Sequence, residues 1–407
     1  MAVLRRTVQF GAMLVVLAAT LGPVPAGSAS VSTSAPTSAP TSAPTSAPES
    51  IPESIPGRGS APGEGAAAMA MADQDARQLA GRRIVLSYAG PTPPPGVLET
   101  IRAGRAAGVI LFAENVTSPD QLDEAVGQLR QAAAQSPVPG GLLLMTDQEG
   151  GKVRRLPGAP ELSARRTGSQ PDPLGAAGRA GASAAGALAD AGLNVNLAPV
   201  LDVYDTPGNF IDRYERSYGQ DPSRVGELGS AFLAAQQGLG VAATAKHFPG
   251  LGSAADGENT DDRPVTLSVP LDELRTRGEE PYRAAIAAGV RLVMASWAVY
   301  PALDPDRPAG LSRAVVQGEL RGRLGFRGVT VTDALEAEAL APYGDAGDRA
   351  VAAAEAGMDL ILCSARDPQQ AEDATTALAD ALDSGRLDRA AFTAAVTRVD
   401  ALRAALD

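Results

Sequence analysis

From about residue 80 onward, short apolar runs alternate with alanine-rich amphipathic stretches, the pattern of repeated strand–helix units. Eight apolar runs read as strands: residues 83–88, 108–112, 141–146, 195–203, 241–247, 289–296, 328–332 and 359–364. Between them, helical periodicity predicts helices over stretches such as 121–134, 176–191, 223–237 and 345–356. Eight such units predict an α/β fold closed as a (β/α)8 TIM barrel in a single catalytic domain. A doubly wound open sheet is the alternative, but no glycine-rich dinucleotide fingerprint follows the first strand.

The chain before the barrel has another character. Residues 1–30 predict an export signal: Arg5 and Arg6 open it, an apolar stretch from Phe10 to Leu21 follows, and Ala26-Gly27-Ser28-Ala29 forms a small-residue cleavage zone. The apolar stretch is short for a membrane span, so none is expected in the mature protein. No cysteine stands near the cleavage zone, which argues against a lipid anchor. Residues 31–74, with the recurring Thr33-Ser34-Ala35-Pro36 pattern, lack the apolar content for a core and read as a solvated spacer. The barrel domain is therefore assigned to 75–407, and the protein to the cell exterior or envelope. A net charge of −12 argues against nucleic acid and anionic membrane as partners. The single cysteine, Cys363, lies in an apolar run and reads as core packing.

A barrel gathers its chemistry at the C-terminal ends of its strands. Those ends carry Asp147, Asp202, Lys246 with His247, Ser296 with Trp297, and Asp333. Each alone could be a strand-terminating turn residue; together they describe a polar pocket. Lys246 is one of only two lysines in an arginine-rich chain and adjoins the only histidine, which suggests a need for a compact ammonium. Carboxylates and an ammonium suit hydroxyl groups, and an indole face suits the C–H surface of a sugar, so a carbohydrate partner is expected. One histidine and one cysteine far apart predict no zinc site, and no cofactor is called for.

These residues carry a family resemblance. In order along the chain stand Gly108-Val109-Ile110-Leu111-Phe112, Asp147-Gln148-Glu149-Gly150-Gly151, Leu197-Ala198-Pro199-Val200-Leu201-Asp202 and Arg216-Ser217-Tyr218-Gly219-Gln220-Asp221-Pro222. Lys246-His247-Phe248-Pro249-Gly250 and Gly328-Val329-Thr330-Val331-Thr332-Asp333-Ala334-Leu335 complete the series. The chain resembles glycoside hydrolase family 3, in its single-domain β-N-acetylhexosaminidase branch. The resemblance implies an exo-acting, retaining glycosidase, with Asp333 as nucleophile and Asp147, Arg155, Arg216, Lys246 and His247 as sugar-binding residues. It points to a terminal β-linked sugar, N-acetylglucosamine of cell-wall-type glycans, and to a monomer.

The loop after Gly250 departs from that pattern. Counted without gaps from Lys246, Asn259 stands where the branch has its acid/base histidine, and Gly257 where the orienting aspartate belongs. Trp297 also stands where relatives often have histidine. Three explanations remain open. A loop carboxylate among Asp256, Glu258, Asp261 and Asp262 acts as acid, with Asp261 the leading candidate, its pKa raised by burial and by Asp262. Alternatively, the enzyme works without an internal acid, at a loss of roughly 10²–10⁴ in rate. Or the protein binds a glycan without cleaving it. A β-glucosidase-like specificity is the alternative to N-acetylglucosaminidase.

Overall fold

The computed structural model describes residues 75–407; the expected export signal (1–30) and spacer (31–74) lie outside the described residues. Eight parallel strands close a barrel: β1 Ile84–Leu86, β2 Gly108–Ile110, β3 Leu143–Thr146, β4 Val195–Asn196, β5 Ala242–Phe248, β6 Leu292–Ala295, β7 Val329–Ala334 and β8 Leu360–Leu362. The last strand returns to the first, with Ile84 opposite Ile361 and Val85 opposite Leu362. Helices pack around the outside, as the sequence pattern predicts.

Strand alternation decides what reaches the site. One set of side chains, including Val85, Ile110, Leu143, Met145, Ala242, Leu292, Met294, Val329, Val331, Leu360 and Leu362, forms a separate apolar cluster that fills the barrel. The intervening set, including Ile84, Leu86, Val109, Leu144, Ile361 and Cys363, packs outward with the helices. Continuing the inward set by steps of two past the strand ends gives Phe112, Asp147, Glu149, Lys246, Asp333 and Ser364. All six line the cleft at the barrel mouth. The polar site is thus the upper layer of the inward-facing positions.

Two departures from the predicted elements have local causes. The 195–203 run is laddered only over Val195–Asn196, because Pro199 has no N–H to donate. The chain still tracks β5, with Thr244 N–H donating to Ala198 O at 2.9 Å and Leu201 N–H to Lys246 O at 2.7 Å. Second, the register between β5 and β6 shifts between Ala245 and Phe248, three residues of one strand facing two of the other. That extra residue brings both Lys246 and His247 to the cleft instead of sending one outward.

Helix starts follow one device. Helices Pro119–Ala134, Pro173–Asp190, Pro222–Gly238 and Pro368–Asp383 each begin with proline after a Ser or Asp cap whose side chain accepts a backbone N–H of the first turn. Among the described residues no helix is long and apolar enough to cross a membrane.

Candidate active site

A cleft of about 500 Å³ opens at the C-terminal end of the barrel. It brings together the seven residues given a catalytic or sugar-binding role from sequence, Asp147, Arg155, Arg216, Lys246, His247, Asp261 and Asp333, whereas the strand-end residues Asp202, Ser296 and Trp297 lie outside its lining.

Its floor is an ion cluster. The Lys246 ammonium donates to Asp147 at 2.7 Å and lies 2.8 Å from Glu149, while Arg216 grips Glu149 with two bonds of 3.0 and 2.8 Å. Arg155 approaches Asp147 at 3.5 Å. Burial pushes both carboxyls up, but the cations outweigh it. Lys246 and then Arg155 hold Asp147 below its ordinary value, and Arg216 and Lys246 hold Glu149 well below the carboxylate range. Both acids are therefore ionised, and they fix three cations whose remaining donors are available to a ligand's hydroxyls.

His247 is aimed from behind. Its Nδ1 lies 2.7 Å from Asp202, which is fully buried and also accepts the N–H of Leu251 at 2.7 Å. With Nδ1 donating to Asp202, Nε2 turns toward Arg216, 3.4 Å away, and toward the cleft. Asp202 is thus a positioning residue that does not itself line the cleft.

Two further carboxylates approach from separate segments. Asp333 ends β7 half-buried, with Oδ1 accepting the N–H of Ala334 at 2.8 Å. Asp261 belongs to the departing loop, whose backbone is tied to the segment after β7: Ala339 N–H donates to Thr260 O at 3.0 Å and Glu338 N–H to Asp261 O at 3.1 Å. Asp261 keeps one side open to solvent, yet protein crowds it from the cleft. Burial first and Asp333 second push its carboxyl up to about 6, against the pull of Arg216 and His247. Burial acts as expected, whereas Asp262, the other expected cause, contributes least of those groups. Its side chain instead accepts from Asn259 at 2.9 Å. The other loop acids are engaged elsewhere: Asp256 with Arg213 at 2.7 Å, and Glu258 with the N–H of Ala255 at 2.8 Å.

The indole does not take the expected place. Trp297 is 1% exposed and donates its Nε1–H to Ala334 O at 2.8 Å, outside the cleft lining. The aromatic lining comes from Phe112, Phe210 and Tyr214. Sequence reasoning also missed Glu149 and Glu336. Glu149 is signalled by its position two residues after Asp147, on the same face. Glu336 lines the cleft and accepts from Ser364 Oγ at 2.8 Å, a contact between separate strand ends with no local signal.

Fold and site together define a barrel enzyme for a polar, many-hydroxyl substrate, with a carboxylate pair set beside a cationic floor. Residues 92–402 match the glycosyl hydrolase family 3 N terminal domain, and the chain belongs to this family, among its β-hexosaminidase-like members. It is a glycosidase that hydrolyses O-glycosyl bonds, and its substrate is a carbohydrate. The chain is 46% identical over 329 residues to an uncharacterized secreted glycosyl hydrolase of Arthroderma benhamiae, covering 80% of this chain and 93% of that one. It is 35% identical over 291 residues to a beta-hexosaminidase of Nitrosomonas eutropha, covering 69% and 80%. Among solved structures it resembles a beta-N-acetylhexosaminidase from Beutenbergia cavernae, with a TM-score of 0.74 and 34% identity over 82% of this chain and 99% of that one. A family 3 beta-N-acetylglucosaminidase from Paenibacillus sp. gives 0.75 and 35% over 81% of this chain, which spans only 62% of that longer protein.

Proposed function

We propose that the protein is an exported, exo-acting, retaining glycosidase that releases a terminal β-linked N-acetylglucosamine from cell-wall-type glycans. Asp333 attacks the anomeric carbon while the protonated Asp261 delivers its proton to the departing glycosidic oxygen. The resulting Asp261 carboxylate then takes a proton from water, whose oxygen displaces Asp333 from the sugar and regenerates both groups. Asp147, Arg155, Arg216, Lys246 and His247 hold the sugar's hydroxyl and acetamido groups. Export rests on residues 1–30 and on the secreted relative, and residues 31–74 serve as a spacer for the 75–407 barrel.

The observation that carries this reading is the pairing of Asp261 with Asp333 in one cleft. One carboxyl has its pKa raised to about 6 by burial and by the other's charge, the direction that the acid of a retaining pair requires. A panel of aryl β-glycosides tests the sugar, and a 2-fluoro sugar tests the nucleophile. The expected results are preferred release from the N-acetylglucosaminide and covalent labelling at Asp333. Labelling at another residue would overturn the nucleophile, and preference for the glucoside would overturn the sugar.

A further inference from the structure

At the opposite end of the barrel, where the strands begin, lies a second cavity of about 410 Å³. Its walls come from elements distant in sequence. Arg83 precedes β1, Met358 precedes β8, Arg313 opens the π-helical stretch Ala314–Arg323, and helix Arg389–Ala404 contributes Phe392 and Arg398. Four guanidinium groups line it, those of Arg83, Arg313, Arg386 and Arg398, against the carboxylates of Glu355 and Asp388.

Those carboxylates are already engaged. Glu355 pairs with Arg386 at 2.8 Å, and Asp388 caps the following helix by accepting the N–H of Ala391 at 2.7 Å. Behind the wall the fully buried Asp359 serves two guanidinium groups at once, Arg321 at 2.6 Å and Arg398 at 2.7 Å. Arg83 is 1% exposed and donates only to carbonyl oxygens, through Nε to Asp359 O at 3.1 Å and through Nη2 to Met358 O. Burial pulls its pKa down to about 10, with Arg398 adding to the effect and Asp359 opposing it. The Arg313 guanidinium is exposed and pairs with no described carboxylate. Two cations thus face one cavity without a direct carboxylate partner: Arg83, buried against two carbonyls and the Phe392 ring at 4.2 Å, and Arg313, exposed at the rim, so the cavity carries a local surplus of positive charge. Planar guanidinium forks match phosphate oxygens with paired hydrogen bonds, and a phosphate monoester carries about the two negative charges that balance this surplus. The volume exceeds that of a bare phosphate, and Phe392 and Leu387 supply an apolar wall for an attached body.

We infer that this cavity binds a small phosphate monoester, its phosphoryl group held by Arg83, Arg313 and Arg398. The inference is independent of the glycan cleft. Its ligand acts on stability and not on chemistry, because the N-terminal face of such barrels carries the former. The link to stability is direct: Asp359 accepts the N–H of Thr330 at 2.9 Å and returns its own N–H to Thr330 Oγ1 at 2.9 Å, joining the cavity wall to barrel strand β7.

Calorimetry and thermal unfolding of the whole protein, with phenyl phosphate and inorganic phosphate at ionic strength balanced by sodium chloride, test the site. Saturable binding at one site is expected, tighter for phenyl phosphate, with a rise in Tm. Arg313→Gln removes a free cation, and Ala394→Glu introduces a carboxylate on the exposed cavity wall. Each should weaken binding tenfold or more while leaving aryl glycoside turnover unchanged. Absence of saturable binding in the wild type overturns the inference, as does binding that Arg313→Gln and Ala394→Glu both leave intact. If Ala394→Glu does not fold, Arg313→Gln decides alone, since its side chain is exposed and unpaired.

Discussion

Asp261 has its pKa raised to about 6 because burial and the Asp333 charge both disfavour its anion. A general acid must be protonated to act, so kcat/KM should fall as pH rises through about 6, on the alkaline limb of the profile. Asp261→Asn should erase that limb. It should cost on the order of 10²–10⁴ in rate with poor leaving groups and much less with activated aryl glycosides, whose turnover added azide restores. If the profile keeps its limb in Asp261→Asn, another group is the acid. At Asp333, the amide variant should retain the fold by circular dichroism and lose nearly all turnover. Glu149→Gln makes a different demand. It leaves Lys246 and Arg216 short of one buried counter-charge, so sugar binding by calorimetry should weaken by about 1–3 kcal/mol. A variant binding as tightly as wild type would remove Glu149 from the positioning set.

Elements turn local sequence rules into site geometry. The extra residue in β5 has no signature in composition, yet it turns Lys246 and His247 to the same side. The helix starts, by contrast, are written locally, as Asp172-Pro173, Asp221-Pro222 and Asp367-Pro368 show. Part of the Arg216–Pro222 motif therefore serves the barrel and not the substrate: Arg216 reaches the cleft, whereas Asp221 caps the next helix through the N–H groups of Ser223 and Arg224 at 3.0 and 3.3 Å. Asp221→Ala should lower unfolding stability by about 1 kcal/mol in urea while kcat stays unchanged. A loss of kcat without loss of stability would contradict this division.

For the molecule as a whole, Asp147 and Glu149 couple folding to pH. Their folded pKa values lie below the unfolded ones, so their contribution to stability is complete above the usual carboxylate range and is lost as pH falls through the folded values. Tm should decline on acidification below the usual carboxylate range, and the decline should shrink in Glu149→Gln; an unchanged decline would show that other carboxylates govern it. The barrel and the inward positions at its mouth were legible in the chain, because a parallel strand buried on both faces announces itself by local apolarity and its side chains alternate with a fixed period of two. The same strand pattern placed Asp147, Lys246, His247 and Asp333 at strand ends, while the family resemblance implied their roles. Pairings across the mouth were decided only on closure. Asp202 meets His247 across 45 residues of sequence, and Asp147 meets Lys246 across 99. The raised carboxyl of Asp261 likewise depends on a loop tied by its backbone to the segment after β7. Trp297 reads as a sugar platform from its strand end alone, but the tertiary structure turns its ring into the core, with its N–H on Ala334. Period and apolarity are properties of consecutive residues; charge balance, burial and the partner of a donor belong to residues that only the closed barrel brings together.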